Sequence, residues 1–308
     1  MKAPLVLKLG GELVETAADR ARLASAVRAI ADSRPLVVVH GGGRAVDAAM
    51  ARQGLSPRKV DGLRVTDAET LDVVVSVLGG LSNTVLVASL VGAGVRAVGL
   101  SGADAGLGRA ARASAHRTAS GAVVDLGCVG DPLAPDTSLL RLLLDHGYVP
   151  VIASLGLADT PSGGPAAADT PAAILNVNAD VMACRLAVAF DSADLVIAGA
   201  TAGVHDTKGR TIPDLTFDEL DVLVADGTAS SGMVAKLVAC RSALGGGVAS
   251  VRIIDGRALD AALPIDRVPG TTLRHGTAGG PLKPAAPAAC GRDVWSGGLQ
   301  PARQETRR

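Results

Sequence analysis

The chain has 308 residues, 48% of them hydrophobic, which is enough to bury one large core or two modest ones and excludes disorder over most of its length. With 30 acidic and 30 basic residues the net charge is zero, so the electrostatic footprint of a nucleic-acid binder is missing, and any phosphate site must be local. Aromatic residues make up only 1%, so the core must be filled by Ala, Val, Leu and Ile, and few rings remain on which bases could stack.

The start, MKAPLVLKLGG, runs directly into a strand over Leu5–Leu9 that ends in a glycine turn, LKLGGE at 7–12. Gly10 and Gly11 lack Cβ atoms, so their backbone can approach a phosphate closely. Lys8 lies two residues before Gly10; in an extended strand it shares that residue's side and can aim its ammonium at the same anion. A strand-end lysine before a tight turn is the plainer alternative.

Residues 17–31 place Leu23, Val27 and Ile30 at helical spacing, a stripe suited to covering a sheet. A second strand, Leu36–His40, ends in VHGGG at 39–43 and opens a helix that includes residues 45–50. Its amides and dipole would add a second anion-binding surface, through Gly42 and Gly43. Neither a Walker A loop nor a dinucleotide fingerprint is present.

In DGLRVTDAETLD, Arg64 is placed in a polar turn ahead of a helix starting around residues 66–69. A planar guanidinium suits a carboxylate at two points; pairing with Asp61 or Asp67 at the surface is the alternative. Further strands are expected over residues 95–100 and Val149–Ala153. Residues 117–131, with two short extended runs and Gly-Asp turns, are expected to form a hairpin. Residues 156–173 are dense in Pro, Gly, Ala and Asp and read as a mobile excursion without chemistry.

LNVNAD at 175–180 brings Asn176, Asn178 and Asp180 to the start of a helix over residues 179–190, where Asp180 could be a simple cap. The α/β rhythm then continues with a strand over 195–198, helices over 217–224 and 233–243, and a strand over 251–254. GMVAK at 232–236 puts Lys236 on the second of these helices, where a solvated lysine is the alternative to a catalytic one. From about residue 278 periodicity is lost, and the tail, with the only tryptophan, Trp295, is expected to be disordered.

Strands alternating with helices argue for parallel strands joined by right-handed crossovers. Cys128, Cys184, Cys240 and Cys290 form no C-x-x-C pair, so neither zinc nor a disulfide framework is indicated. His40, His116, His146, His205 and His275 form no ligand set by spacing, and no protein metal ligand is assigned. No membrane span is expected, and a soluble, cytoplasmic protein with reduced thiols is the simplest reading.

LKLGGE, VHGGG, GLRVTD, LNVNAD and GMVAK, taken in that order over roughly residues 4–277, resemble the amino acid kinase family. GLRVTD and LNVNAD together, with DLGCVGD at 125–131, are most similar to its branch that phosphorylates N-acetyl-L-glutamate. The resemblance implies a three-layer α/β/α sandwich with a largely parallel central sheet running through two lobes. Residues 1–180 would bind acetylglutamate and dimerise, residues 181–277 would bind ATP, and residues 278–308 would form the tail.

It also implies roles. Lys8 and Lys236 would neutralise the phosphoryl group in flight, oriented by Asp180. Gly10, Gly11, Gly42 and Gly43 would supply the phosphate cradle, while Arg64 and Asn176 would hold the α-carboxylate and amide side of the acceptor. The reaction would transfer the ATP γ-phosphoryl group to the side-chain carboxylate, with Mg2+ held mainly by phosphates and water. Two departures stand out: Ala200 replaces the aspartate usual in the nucleotide-lobe strand, and Thr84 follows Asn83 where a lysine is usual.

The rivals are a kinase for a related carboxylate, such as a carrier-linked aminoadipate, and a non-catalytic sensor of amino acids or nucleotides on the same fold. Arginine-inhibited members carry an extra helix before the first strand. With only residues 1–3 ahead of it here, the expectation is a homodimer unresponsive to L-arginine.

Overall fold

The computed structural model describes residues 3–113, 115–118, 121–159, 174–192, 194–225 and 231–275. Eight strands form the central sheet: β1 (Leu5–Leu9), β2 (Leu36–His40), β3 (Ala97–Ser101), β4 (Val149–Ala153), β5 (Asp194–Gly199), β6 (Asp214–Thr216), β7 (Ser250–Asp255) and β8 (Gly270–Arg274). Their order is β6-β8-β7-β5-β1-β2-β4-β3, and every neighbouring pair is parallel except β7 with β8.

Both faces are covered, which is why the inner strands read as unbroken apolar runs. Along β1 the side chains alternate. Leu5, Leu7 and Leu9 join a core with Leu23, Val27 and Ile30 of α1 (Ala17–Ser33), whereas Val6 joins the opposite core. That second core contains Leu140 and Leu144 of α4 (Ser138–Asp145), Met182 and Leu186 of α5 (Ala179–Ala189), and Leu237 and Leu244 of α7 (Ser231–Gly245). The architecture is thus the expected α/β/α sandwich; α6 (Phe217–Ala225) follows β6.

A small second sheet sits beside the carboxyl ends of the main strands. Its four strands, Arg109–Arg112, Val129–Pro132, Leu155–Ala158 and Ile174–Val177, pair in a closed ring. The expected hairpin at 117–131 is shorter than that span: His116–Arg117 pairs with Val123–Val124, while Val129–Pro132 leaves to join the ring. The excursion expected at 156–173 also begins later, because Leu155–Ala158 is a ring strand; residues 160–173 lie outside the described residues, as does the tail after 275.

One helix is unusually long and apolar. The helix α3, continuous over Ala68–Gly92, is long and apolar enough by length and composition to cross a membrane, with mean hydropathy 1.9. Polar Ser82, Asn83 and Thr84 interrupt the run. Its inner face packs Leu86 and Leu90 on the β1/β2 core and Val73, Val74, Val77 and Leu78 against α2 (Gly43–Arg52).

Candidate functional site

β1 and β2 end level, with Lys8 beside Val39 and Leu9 beside His40, so their two glycine turns leave the sheet side by side. Contact is close enough that a Cβ on Gly11 would lie 2.6 Å from Gly42 Cα. This is the carboxyl end of the parallel strands, where ligands bind in such sheets. A cleft of about 280 Å³ opens there, lined by Lys8, Gly10, Gly11, Gly42, Gly43, Arg64, Asn176 and Asp180. Seven of these eight residues come from the motifs' expected phosphate and acceptor positions, and Asp180 lies between them.

The floor is an ion triad. Lys8 lies on the face of β1 that carries Val6, hence the α5/α7 face, and its Nζ is 2.8 Å from Asp180 Oδ1. Lys236 reaches across from α7 and donates from Nζ to Asp180 Oδ2 at 2.7 Å. Burial alone would raise the Asp180 carboxyl; the Lys8 and Lys236 ammonium groups reverse this and hold it well below the usual carboxylate range. Burial pulls Lys236 the other way, but Asp180 outweighs it and raises its pKa above the ordinary lysine value. Both lysines are thus tied to one carboxylate beside the glycine turns, and neither is a solvated surface residue.

Asp180 is not the helix cap. Asn178 fills that position, its Oδ1 accepting from the N–H groups of Asp180 at 2.8 Å and Val181 at 3.2 Å. Because the cap is a neighbouring asparagine, the aspartate carboxylate is left for the lysines. Among the described residues no side chain caps α2, so the N–H groups of its first turn, beginning at Gly43, are available to an anion.

The second wall differs from its expected form. Arg64 is not in an exposed turn: it ends a two-residue strand, Leu63–Arg64, paired with Lys59–Val60, and its side chain is 7% exposed. Its partner is neither Asp61 nor Asp67. Nη2 donates to Gly43 O at 3.0 Å and lies 2.5 Å from Asp47 Oδ1, while Lys59 Nζ is 2.8 Å from Asp47 Oδ2. Burial would raise the Asp47 carboxyl, but Lys59 and Arg64 bring it below its ordinary value. Asp67 instead caps α3, accepting from Thr70 N at 2.8 Å.

Asn176, on the ring strand Ile174–Val177, donates from Nδ2 to Thr66 Oγ1 at 3.1 Å, and Thr66 donates in turn to Arg64 O. Arg64 and Asn176 therefore belong to one wall. Asp47, Lys59 and Thr66 were not singled out by the sequence; one aspartate on an amphipathic helix carries no signal of its own. Glu12, also missed, stands over Gly10 at the cleft edge.

At the Ala200 departure, Arg257 Nη2 donates to Ala200 O at 2.8 Å and is held by Asp255 at 2.8 Å. Cys184 and Cys240, far apart in sequence, meet across α5 and α7 one turn behind the triad; the hydrogen bond between them, with burial, pushes the Cys184 thiol up.

Residues 3–255 match the family described as the amino acid kinase family. The chain is 44% identical over 224 residues to an acetylglutamate kinase of Symbiobacterium thermophilum, covering 72% of this chain and 73% of that protein. It is 37% identical over 276 residues to an acetylglutamate kinase of Verminephrobacter eiseniae, covering 88% and 89%. Among solved structures it superposes on an N-acetylglutamate synthase of Neisseria gonorrhoeae, complexed with coenzyme A and N-acetyl-glutamate, with a TM-score of 0.73 at 24% identity, covering 90% of this chain and 60% of that one.

Proposed function

The chain belongs to the amino acid kinase family, and from that premise we propose that its cleft transfers the γ-phosphoryl group of ATP to the side-chain carboxylate of N-acetyl-L-glutamate, giving N-acetyl-L-glutamyl 5-phosphate and ADP in arginine biosynthesis. The observation that carries the reading is the pair of ammonium groups on one carboxylate, set between two glycine turns. The relatives reported above bear the acetylglutamate kinase name, which favours this acceptor over a carrier-linked aminoadipate and an enzyme over a sensor.

The acceptor carboxylate, with a pKa near ~4.3, is already ionised at neutral pH, so the reaction needs no general base. What it needs is two anions held in line. Lys8 and Lys236 cancel the repulsion between acceptor and phosphoryl and gain strength as charge spreads in the transition state; Asp180 keeps them together. The backbone N–H groups of Gly11, Gly42 and Gly43 are the cradle for the phosphates; the expected Gly10 donor is instead engaged to Ala198 O at 2.8 Å, so Gly10 shapes the turn. Arg64 and Asn176 hold the α-carboxylate and amide side of the acceptor.

The floor offers ammonium groups rather than a set of carboxylates, a donor set that suits a metal arriving already bound to phosphate. Magnesium would neutralise charge on the nucleotide oxygens. Residues 1–180 are the acceptor lobe and 181–277 the nucleotide lobe in this reading. A cytoplasmic homodimer joined through the acceptor lobe completes it. Leu81 and Val91 on the outer face of α3 are 62% and 53% exposed, and β3 ends the sheet beside them, a surface a second copy would cover.

The test is ADP release by the purified chain with N-acetyl-L-glutamate, glutamate, aspartate and carbamate offered separately with ATP and Mg2+. Turnover should be strong with acetylglutamate and at least about a hundredfold weaker with free glutamate, whose ammonium replaces the amide. Equal turnover of another acceptor, or none of any, would overturn the assignment.

A further inference from the structure

The helix α3 is not uniform: Ser76–Ser82 winds as a π-helix between the α-helical stretches Ala68–Val75 and Asn83–Gly92. An i→i+5 turn takes up about one residue more than an α-turn, so the face of the helix is reset at that point. The result is that three side chains converge on the second glycine turn. Leu78 Cδ2 stands 2.7 Å, and Ser82 Oγ 3.7 Å, from where a Cβ on Gly42 would be. Asn83, buried, reaches under the turn to His40 at the end of β2 and to backbone carbonyls of β3 and β4.

Its amide nitrogen Nδ2 lies 3.1 Å from His40 Nε2, 3.0 Å from Val151 O and 3.3 Å from Leu100 O. Two carbonyl oxygens can only accept, so the group facing them is the amino group, whose two protons are shared among three neighbours; an amide nitrogen does not accept, so in its contact with His40 it is Nε2 that accepts. The remaining ring nitrogen, Nδ1, then carries the proton and donates to Gly41 O at 3.1 Å. Burial keeps His40 neutral by lowering its pKa, against the opposing pull of the Gly41 hydrogen bond. On the far side, Asn83 Oδ1 occupies the space of a Cβ at Gly99, 2.1 Å away, so a glycine in β3 is what lets the amide fit.

We propose that Asn83 is a positioning residue for phosphoryl transfer: it fixes His40 as the neutral Nδ1–H tautomer, and His40 in turn ties the Gly41 carbonyl inward so that the N–H groups after it face the phosphate. The inference rests on the kinase reading above, but its first test does not. Nitrogen NMR of the histidines in the full chain should show one ring, resistant to protonation, with a bare Nε2 and a protonated Nδ1. If His40 holds its proton on Nε2, the proposal is overturned, whatever the variants do.

In Asn83→Asp the new carboxylate accepts from Nε2–H while Gly41 O still accepts from Nδ1–H, which makes His40 an imidazolium at neutral pH. The expected result is a fall in kcat of about 10- to 100-fold, a new dependence on pH around neutrality, and weaker binding of ADP in titration calorimetry. ADP binding is read without an acceptor, so it separates failure of this proposal from a wrong acceptor. A charged His40 with kcat, pH profile and ADP affinity unchanged would contradict the proposal.

Discussion

Two aspartates in this cleft each hold a pair of cations, and they differ in depth and in what carries them. Asp180 joins Lys8 and Lys236 on β1, α5 and α7, elements packed into the largest core, and its side chain is 15% exposed. Asp47 joins Arg64 and Lys59, but it is 29% exposed, Lys59 is 47% exposed, and both cations ride on a pair of two-residue strands. In the proposed reaction the deep triad would meet a charge that appears only in the transition state, while the second would meet the acceptor carboxylate with two cations carried on strands of two residues each. Rigid support belongs where transition-state charge develops, and adaptable support where a ground-state ligand binds.

The largest effect should come from breaking the deep triad. Asp180→Asn leaves two ammonium groups side by side without a counter-charge, so turnover should fall by at least about a hundredfold and unfolding stability by about 3 kcal/mol. Thermal melting and steady-state kinetics on the same preparation check both. Because Asn178 is the cap, a full-activity variant of unchanged stability would mean that the triad has no role in either.

The shallow triad should respond differently. Arg64→Lys keeps the charge but loses the planar fork, so KM for acetylglutamate should rise about tenfold while KM for ATP stays nearly constant. A collapse of ATP affinity instead would move Arg64 to the nucleotide side and erase the contrast. Smallest of all, Asn178→Ala removes the cap of α5 and should cost about 1 kcal/mol in denaturant unfolding. Turnover should fall modestly, since Asp180 loses only the anchoring of its own N–H.

Much of this was legible in the sequence because it depends on local pattern. The β1 and β2 runs, the α1 stripe and the five motifs each declare themselves within a dozen residues, and parallel β-α alternation orders them. The pairing of Asp180 with both lysines is legible only through the resemblance, since positions 8, 180 and 236 are linked by packing alone. Assigning the cap to Asn178 rather than Asp180 needed the backbone geometry of the helix start. Asp47 and Lys59 were illegible because one aspartate on an amphipathic helix looks like any solvated residue. The strand at Leu155–Ala158 was hidden by its small residues, which fit a ring so tight that a Cβ on Gly156 would stand 2.9 Å from Val177. The π-turn at Ser76–Ser82 has no sequence period of its own.

The central claim is that Lys8, Asp180 and Lys236 act as one unit on the transferring phosphoryl group. Its most direct test is kcat for Lys8→Ala, Asp180→Ala and the double variant, measured at saturating ATP and acetylglutamate. If the three are one unit, each single variant loses about a hundredfold or more and the double loses little beyond the worse single. Losses that multiply, with each residue contributing independently, would contradict it.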